Sequence, residues 1–435
     1  MSETVYDAIV IGGGPGGSSA STFLARAGQR VLVLEKEKFP RFHIGESLLP
    51  YNRIIFEEMG VLPKLEAAGL LRKWGAQFHI GNGTKCLKLV FRRGKFTREP
   101  AAFQVERAYF DHLLLKHAAE SGAEVRESYS VTNFSLNDDG VTVDATGPDG
   151  EKQIFRARFL IDASGRGNVT GNLQKLRVIH PDLKKLALFG HFSGVKLDDG
   201  EAKGDTVIVR LENKWFWLIP LSEEKVSVGC VMDAEEFARA RKSPEEVFNG
   251  IVESSTVMRD RMGDARLLNA IQTTGDFSYH NKRLVDRRLL RVGDAAGFMD
   301  PIFSAGVYLA MYSGKLAAEY VGASLAAGDD GVKRFRAYEH RVYRSMTFYW
   351  RMVRGYYTTP FMELFMEPRD KLSMPAAVTA LLAGEIEGGW RIRWRLWSFF
   401  QFVKLQKLFG LVPRLSFKEK APAEKREELE SIPAK

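Results

Sequence analysis

The chain has 435 residues, of which 45% are hydrophobic and 27% charged, and this ordinary globular composition excludes a disordered, collagen-like or disulfide-stapled protein. Its net charge of +9 is spread unevenly, because residues 388–415 combine basic and aromatic side chains with no acid, and no nucleic-acid motif accompanies them. Cys86 and Cys230 form no CxxC pair, so we expect no metal site and a reducing, cytoplasmic compartment.

The first residues alternate in the pattern of a βαβ unit. Residues 6–11 predict a strand, residues 18–27 a helix of small side chains and residues 30–35 a second strand. The start lacks the basic region of a signal peptide, and no apolar run in the chain reaches the ~18 residues of a membrane span. The pattern predicts a Rossmann-like opening.

A glycine turn joins the first strand to the first helix. Gly12 permits the tight turn, Gly14 the close approach of a pyrophosphate, and Gly17 the packing of helix on strand. A carboxylate at the end of the second strand can hold a ribose hydroxyl. The predicted dinucleotide contacts are Gly12, Gly14, Pro15, Gly17, Glu35 and Lys36.

The rest of the chain predicts an α/β fold with an inserted, mostly antiparallel sheet and a helical C-terminal region. Residues 45–70 and 105–119 are helical in pattern, whereas residues 74–103 alternate as short strands. Strand patterns at 187–192, 206–211, 215–220 and 226–231 predict a meander, followed by a helix at 244–254 and a strand at 287–292. Residues 306–410 read as helices, and residues 416–435 are expected to be a disordered tail.

These patterns predict three structural units. A discontinuous nucleotide-binding domain takes residues 1–72, 104–175 and 282–330. A β-sheet domain on the substrate side takes residues 73–103 and 176–281, and a helical region takes residues 331–415.

Two later turns identify the dinucleotide. The strands at 159–162 and 290–292 each end in a small-residue turn, the second reading Gly293-Asp294-Ala295-Ala296-Gly297. Together with Arg107 in the segment VERAYFD, these turns resemble the FAD-dependent monooxygenase superfamily of the aromatic hydroxylase type. In that superfamily an aspartate placed like Asp294 hydrogen-bonds the ribityl chain, and an arginine placed like Arg107 lies near the cofactor. The FAD contacts implied here are Arg107, Asp162, Gly293 and Asp294.

Three further segments are similar to the flavin-dependent halogenases. Residues 39–50 (FPRFHIGESLLP) resemble the flavin-binding loop that halogenases share with related reductases, residues 214–220 (KWFWLIP) match the WxWxIP signature, and residues 300–310 (DPIFSAGVYLA) resemble the loop at the flavin ring. The resemblance implies flavin contacts at Arg41, Glu46, Ser47, Gly306 and Val307. It implies halide binding at Ser304, Ala305 and Gly306. Alternation places Trp215 and Trp217 on one face of a strand, where they form either a core pair behind the cofactor or, with Pro220, a wall that shields the flavin.

The resemblance also implies a mechanism. Reduced FAD and O₂ form a C4a-hydroperoxide, which oxidises chloride or bromide to hypohalous acid. Lys73 in the segment LRKWGA matches the halogenase lysine, which relays the halogen either as a chloramine of the neutral amine or by a hydrogen bond from the charged form. No nicotinamide motif is evident, so a separate NAD(P)H-dependent flavin reductase is expected as a partner.

One departure from the wider family narrows the expected substrate. Tryptophan halogenases have a glutamate three residues before the glycine of the halide loop, and this chain has Phe303 there. The departure favours the branch that acts on phenols and pyrroles, which are free small molecules or are bound to an acyl or peptidyl carrier protein. His43, Glu46 and His79 are candidates for a base that deprotonates a phenol.

The C-terminal third leaves alternatives open. Tyr349, Trp350, Tyr356 and Tyr357 could line a substrate pocket. Residues 390–409 could dock on an acidic carrier protein or an anionic membrane surface, or pack on the enzyme with extended arginines. For the whole chain, a hydroxylase or geranylgeranyl-reductase-like enzyme is the first alternative, and a catalytically decayed flavin-binding protein is the second.

Overall fold

A computed structural model describes residues 5–275, 278–369 and 372–418. The helices are α1 (Pro15–Arg26), α2 (Asn52–Met59), α3 (Leu62–Ala67), α4 (Arg107–Glu120), α5 (Val169–Leu173), α6 (Ala234–Ala240), α7 (Pro244–Glu253), α8 (Thr256–Met262), α9 (Gly306–Ala327), α10 (Val332–Tyr356), α11 (Thr359–Phe365), α12 (Met374–Ala383) and α13 (Trp390–Phe409). The strands are β1 (Val5–Ile11), β2 (Val31–Glu35), β3 (Leu71–Lys73), β4 (Gly75–Ile80), β5 (Cys86–Val90), β6 (Ala102–Gln104), β7 (Glu124–Glu127), β8 (Ser130–Leu136), β9 (Val141–Thr146), β10 (Lys152–Asp162), β11 (Arg177–Ile179), β12 (Lys185–Ser193), β13 (Thr206–Arg210), β14 (Trp215–Pro220), β15 (Val226–Asp233), β16 (Arg266–Leu267), β17 (Gln272–Gly275), β18 (Tyr279–Asn281), β19 (Val285–Asp286), β20 (Leu289–Arg291) and β21 (Gly297–Phe298).

The first sheet is the nucleotide-binding sheet. Its strand order is β19-β20-β10-β1-β2-β7, and the five strands from β20 to β7 run parallel. Alternate residues of β1 serve two cores: Ala8 and Val10 pack with α1, α4 and α9, whereas Ile9 and Ile11 pack with β9. The carboxyl ends of parallel strands meet at one edge, which is where such sheets bind ligands.

The second sheet is the mostly antiparallel sheet predicted from the meander, and the α/β fold class is confirmed. Its order is β16-β12-β15-β14-β13-β4-β5, with β17 beside β12. Among the described strands of this second sheet, only β13 and β4 pair in parallel. A separate antiparallel pair, β3 and β6, carries Lys73.

Local differences from the predicted elements have physical reasons. Helix α1 begins at Pro15 rather than residue 18, because proline suits the first helical position, whose N–H has no acceptor within the helix. The helical stretch 45–70 is two short helices, separated at Gly60, which has φ +77°. Residues 419–435, most of the predicted tail, lie outside the described residues.

The C-terminal region consists of five helices, α9 to α13, in the described part of the chain. Helix α9 packs against α1, and α13 packs against α11 and α12. Within the ranges that the structure describes, none of the helices combines the length and apolarity needed to cross a bilayer.

Candidate active site

A long cavity runs from the carboxyl edge of the first sheet to the inner face of the second. Its volume is about 380 Å³, and it is partly open to solvent. The predicted site residues on its wall are Gly12, Gly14, Pro15, Glu35, Lys36, Arg41, Glu46, Ser47, Arg107, Trp215, Trp217, Gly293, Asp294, Ser304, Gly306 and Val307. The predicted site residues that do not line it are Gly17, Lys73, Asp162, Pro220 and Ala305.

The three motif glycines have different tasks. A side chain at Gly17 would place its Cβ 1.9 Å from the carbonyl oxygen of Gly12, and one at Gly12, which has φ +97°, would lie 2.5 Å from the carbonyl oxygen of Ala163. A Cβ at Gly14 would meet nothing closer than the Arg41 guanidinium, at 3.7 Å. Gly12 and Gly17 are therefore required for close backbone packing. Gly14 instead leaves space before the N-terminus of α1, where phosphates bind.

Charged side chains surround this space. One carboxylate oxygen of Glu35 accepts the N–H of Gly13 at 2.6 Å and the other accepts the N–H of Glu37 at 2.8 Å, so Glu35 also fixes the glycine loop. Asp111 accepts hydrogen bonds from Arg107 at 2.7 Å and Arg41 at 2.9 Å. Burial raises the pKa of the Asp111 carboxyl, but the two guanidinium groups outweigh it and hold that pKa below its usual value.

The two predicted aspartates differ in position. Asp162 accepts the N–H of Ser164 at 3.0 Å and both the N–H (2.8 Å) and the hydroxyl (2.6 Å) of Thr170, so it supports a turn behind the cavity. Asp294 lies on the cavity wall, and burial raises its pKa to about 6 although Arg166 and Arg107 lower it. A half-buried carboxyl on the wall of such a cavity suits a ligand rich in hydroxyl groups. With the open space at Gly14 and the cations beside it, the residues present fit FAD.

The predicted halide loop lies at the start of α9. Asp300 accepts the N–H of Ile302 at 3.0 Å and so closes a short turn, and Ser304 adopts φ +55° before the helix begins at Gly306. The first N–H groups of a helix have no acceptor within it and carry a partial positive charge. Ser304 and Gly306 face the main cavity, whereas Ala305 and Gly306 face a smaller one behind it, also lined by Asp294 and Asp300. The N–H groups at this helix start attract a small anion, and the carboxylates of Asp294 and Asp300 beside them oppose it.

Two indoles form a wall of the cavity. Trp215 and Trp217 lie on the same side of β14 with ring centroids 5.9 Å apart, and both are at least 95% buried. Trp215 Nε1 donates to the Tyr357 hydroxyl at 2.9 Å, and that hydroxyl donates to Asp300 at 2.8 Å. The pair is thus both core and cavity wall, and Tyr357 joins it to the halide loop.

Lys73 lies directly behind the far end of the cavity. Its side chain is 2% exposed, and its Nζ donates to Ser47 Oγ at 2.8 Å and to the carbonyl oxygen of Leu48 at 3.1 Å. Burial lowers its pKa to about 7, partly offset by Asp205. Lys73 is therefore a desolvated amine one hydroxyl away from the cavity.

A chain of hydroxyl and amide groups connects Lys73 to the cavity wall. Ser47 Oγ and Thr206 Oγ1 are 2.8 Å apart, and Gln104 Nε2 donates to Thr206 Oγ1 at 2.9 Å. Ser47 and Thr206 line the cavity. The motifs do not identify Thr206 or Gln104, since Thr206 reaches Ser47 from β13 of the second sheet and Gln104 of β6 reaches it through a backbone bridge.

The candidate bases occupy unlike environments. Glu46 Oε1 and His191 Nε2 are 2.8 Å apart, and Glu46 Oε2 is buried with no hydrogen-bond partner among the described residues. His43 lines the cavity, but burial lowers its pKa to about 4, and His79 lies outside the cavity. Sequence reasoning missed His191, which nothing in its strand distinguishes from a core histidine. Of the predicted aromatics, Tyr349 lines the smaller cavity.

Comparisons with known proteins agree with this geometry. Residues 5–347 match the family described as an FAD binding domain. The chain is 28% identical over 418 residues to a 1H-pyrrole-2-carbonyl-[peptidyl-carrier protein] chlorinase of Pseudomonas fluorescens, an alignment that covers 90% of this chain and 92% of the relative. It is 32% identical over 341 residues to the corresponding brominase of Pseudoalteromonas luteoviolacea, covering 77% and 81% of the two chains.

A solved structure supports the fold. The chain is similar to a flavoprotein/dehydrogenase from Cytophaga hutchinsonii with a TM-score of 0.86 and 26% identity, over 93% of this chain and 100% of the other. The fold of this chain, with a nucleotide-binding sheet, an inserted sheet and C-terminal helices, is therefore one already seen in a flavoprotein.

Proposed function

The chain belongs to the flavin-dependent halogenases, and from this premise we propose that it chlorinates or brominates a pyrrole or phenol carried by an acyl or peptidyl carrier protein, with Lys73 as the residue that transfers the halogen. As a member of this family the protein is an FAD-dependent enzyme. The position of Lys73, buried and hydrogen-bonded to a hydroxyl on the cavity wall, is the observation that carries the proposal.

The first half of the proposal concerns cofactor and halide. Gly14 and the N-terminus of α1 would receive the pyrophosphate, Arg41 and Arg107 would balance its charge, and Asp294 would accept hydroxyl groups of the ribityl chain. When bound, reduced FAD would supply two of the four electrons that reduce O₂, and the halide would supply the other two as it is oxidised to hypohalous acid. The amides around Gly306 would hold the halide, and the wall of Trp215 and Trp217 would exclude water and aromatic substrate.

The second half concerns the transfer of the halogen. A neutral Lys73 amine donates its two N–H bonds to Ser47 and Leu48, which leaves the nitrogen lone pair free. A nitrogen–halogen bond then forms while the oxygen–halogen bond of hypohalous acid breaks, and the hydroxide leaves as water with one amine proton. The halogen next passes to the aromatic carbon, whose proton returns to the amine.

The substrate proposal rests on two observations. Both relatives described above act on a pyrrole held by a peptidyl carrier protein, and Phe303 replaces the acid of the tryptophan branch. Electron-rich pyrroles and phenols need less help from an acid when they accept an electrophilic halogen. A separate NAD(P)H-dependent reductase would supply the reduced FAD.

Product mass tests the proposal. The enzyme is given reduced FAD, air and bromide with pyrrole-2-carbonyl carrier protein, with the free pyrrole acid, or with a free phenol. We expect the bromine isotope doublet on the carrier-bound pyrrole. Bromination of the free pyrrole acid or the free phenol alone would overturn the carrier proposal, and gain of only oxygen or hydrogen would reassign the enzyme as a hydroxylase or reductase.

A further inference from the structure

The last helix, α13, has two apolar faces instead of one. Ile392, Leu396 and Phe399 are buried, and the Phe399 ring packs edge-on against Phe361 of α11 with centroids 5.4 Å apart. This first face attaches the helix to the body of the enzyme. An amphipathic helix of a globular protein would present a polar surface on its other side.

The second face is apolar and open to solvent. Trp390 is 71% exposed, Trp397 58% and Leu408 71%. At about 100° per residue these three positions fall within about 20° of one another around the helix axis, so they form one stripe. Phe409 lies about 100° further around the axis and adds another large apolar side chain at the C-terminal end, where it is 72% exposed. Large apolar side chains grouped in this way mark an interaction surface rather than ordinary surface composition.

The charges beside this stripe are all positive. Residues 388–415 hold six basic side chains and no acid. Arg414 is paired with Glu363, and Glu387, the acid just before the helix, is paired with Arg341. The exposed Arg391, Arg393, Lys404 and Lys407 have no acidic partner among the residues that the structure describes. The stripe therefore lies in a positive field.

We infer that the exposed face of α13 binds the surface of an anionic lipid bilayer, with the apolar stripe in the headgroup region and the basic residues on the lipid phosphates. Tryptophan, leucine and phenylalanine beside lysine and arginine are the composition of helices that lie in a membrane interface. From Trp390 to Leu408 the stripe is about 27 Å long at ~1.5 Å per residue and nearly straight, which suits a plane better than a small convex partner.

The inference concerns where the enzyme works and does not depend on the halogenated substrate. Residues of this stripe do not line the FAD cavity. A halogenase held at a membrane would have direct access to apolar aromatics that partition there. Variants of the stripe should therefore change vesicle binding without changing turnover of a water-soluble substrate.

Vesicle flotation tests the inference. We expect the full-length protein to float with phosphatidylcholine vesicles that contain phosphatidylglycerol and to stay in solution with phosphatidylcholine alone. Removing two apolar anchors in the double variant Trp397→Ser/Leu408→Ser should weaken the partition at least about tenfold. The matched control is Ile154→Ser/Leu268→Ser, since these side chains are 60% and 53% exposed elsewhere on the molecule, and it should bind like the wild type.

Charge gives the second arm of the test. Arg393→Gln/Lys404→Gln should lower the partition by about 25-fold, at about fivefold per basic residue, whereas Lys333→Gln/Arg336→Gln should not. Raised salt should weaken binding in the same way. Equal flotation with neutral vesicles would overturn the inference. So would an equal loss in the controls, self-association that buries the stripe without lipid, or capture by an acidic carrier protein in place of vesicles.

Discussion

The two ends of the cavity are built in different ways. The nucleotide end is made of backbone turns and paired charges: the glycine loop, the N–H groups that Glu35 accepts, and the cluster of Asp111 with its two arginines. The halogen end depends on single side chains from separate elements, with Lys73 of β3 held by Ser47 of a loop beside Thr206 of β13. We therefore expect single substitutions to weaken the first end gradually and to abolish the chemistry of the second.

Removal of the Lys73 amine is the substitution for which we expect the largest difference between the two ends of the cavity. We expect Lys73→Ala to lose halogenation by about 10³-fold or more while FAD affinity stays within about twofold, because the amine that transfers the halogen is removed and the FAD contacts are left in place. Fluorescence titration of FAD and product analysis measure the two quantities. Lys88→Ala, with a half-exposed lysine on β5, is the matched control. Halogenation that survives in the Lys73 variant would show that the ends do not differ in this way.

The pH profile sharpens the same contrast. Burial lowers the pKa of Lys73 to about 7, so the neutral amine is depleted below that pH. We expect the ratio of halogenated product to oxidised halide to rise about tenfold per pH unit up to about pH 7 and then to level off. Stopped assays at fixed reduced FAD measure it. A rate that instead falls above pH 7 would favour the charged lysine.

At the nucleotide end, substitutions of Asp294 and Asp162 should have different effects on FAD affinity and on stability. Asp294→Asn should weaken FAD binding about tenfold, because Asp294 faces the cavity. Asp162→Asn should leave affinity nearly unchanged and lower the free energy of unfolding by about 2 kcal/mol, since Asp162 accepts three hydrogen bonds in a buried turn. FAD titration and chemical denaturation distinguish them, and equal effects on affinity would contradict the assignment.

The smallest expected effect lies between the two ends. Tyr357→Phe removes the hydroxyl that joins Trp215 to Asp300. We expect halogenation to fall only about threefold, while the fraction of O₂ released as hydrogen peroxide rises, because the indole wall and the halide loop lose their link. Peroxide and product yields on the same sample give the ratio. Trp217, whose Nε1 donates to Ser227 at 3.2 Å, supplies the control through Ser227→Ala.

The sequence predicted the nucleotide end far better than the halogen end. Gly12, Gly14 and Glu35 are close in sequence, and a tight turn between strand and helix leaves few other residues able to occupy it. Thr206, Gln104 and His191 could not be found in this way, because only the folded structure brings them to the loop that holds Glu46 and Ser47. His191 and Thr206 come from β12 and β13 of the second sheet, and Gln104 of β6 forms a backbone bridge with Ser47. The role of Lys73 was predicted from the segment that contains it. Its burial could not be predicted in this way, because it depends on how distant segments pack.

Helix α13 shows the same limit from the other side. The sequence showed that the helix combines basic and aromatic residues. It did not distinguish a helix that docks on a partner surface from one that packs on the enzyme. Periodicity could not decide between them because both faces are apolar. Burial decides: Phe399 packs on the enzyme, whereas Trp397 faces solvent.

The most direct test of the account is to ask where oxidised bromide goes when Lys73 is absent. Lys73→Met is supplied with reduced FAD, air, bromide, the aromatic substrate and a small 1,3-diketone that consumes free hypohalous acid. We predict that the diketone is brominated at close to the wild-type rate of bromide oxidation while the aromatic substrate stays unchanged. Brominated substrate, or no bromide oxidation at all, would contradict a halogen that leaves the flavin end of the cavity and is transferred by Lys73.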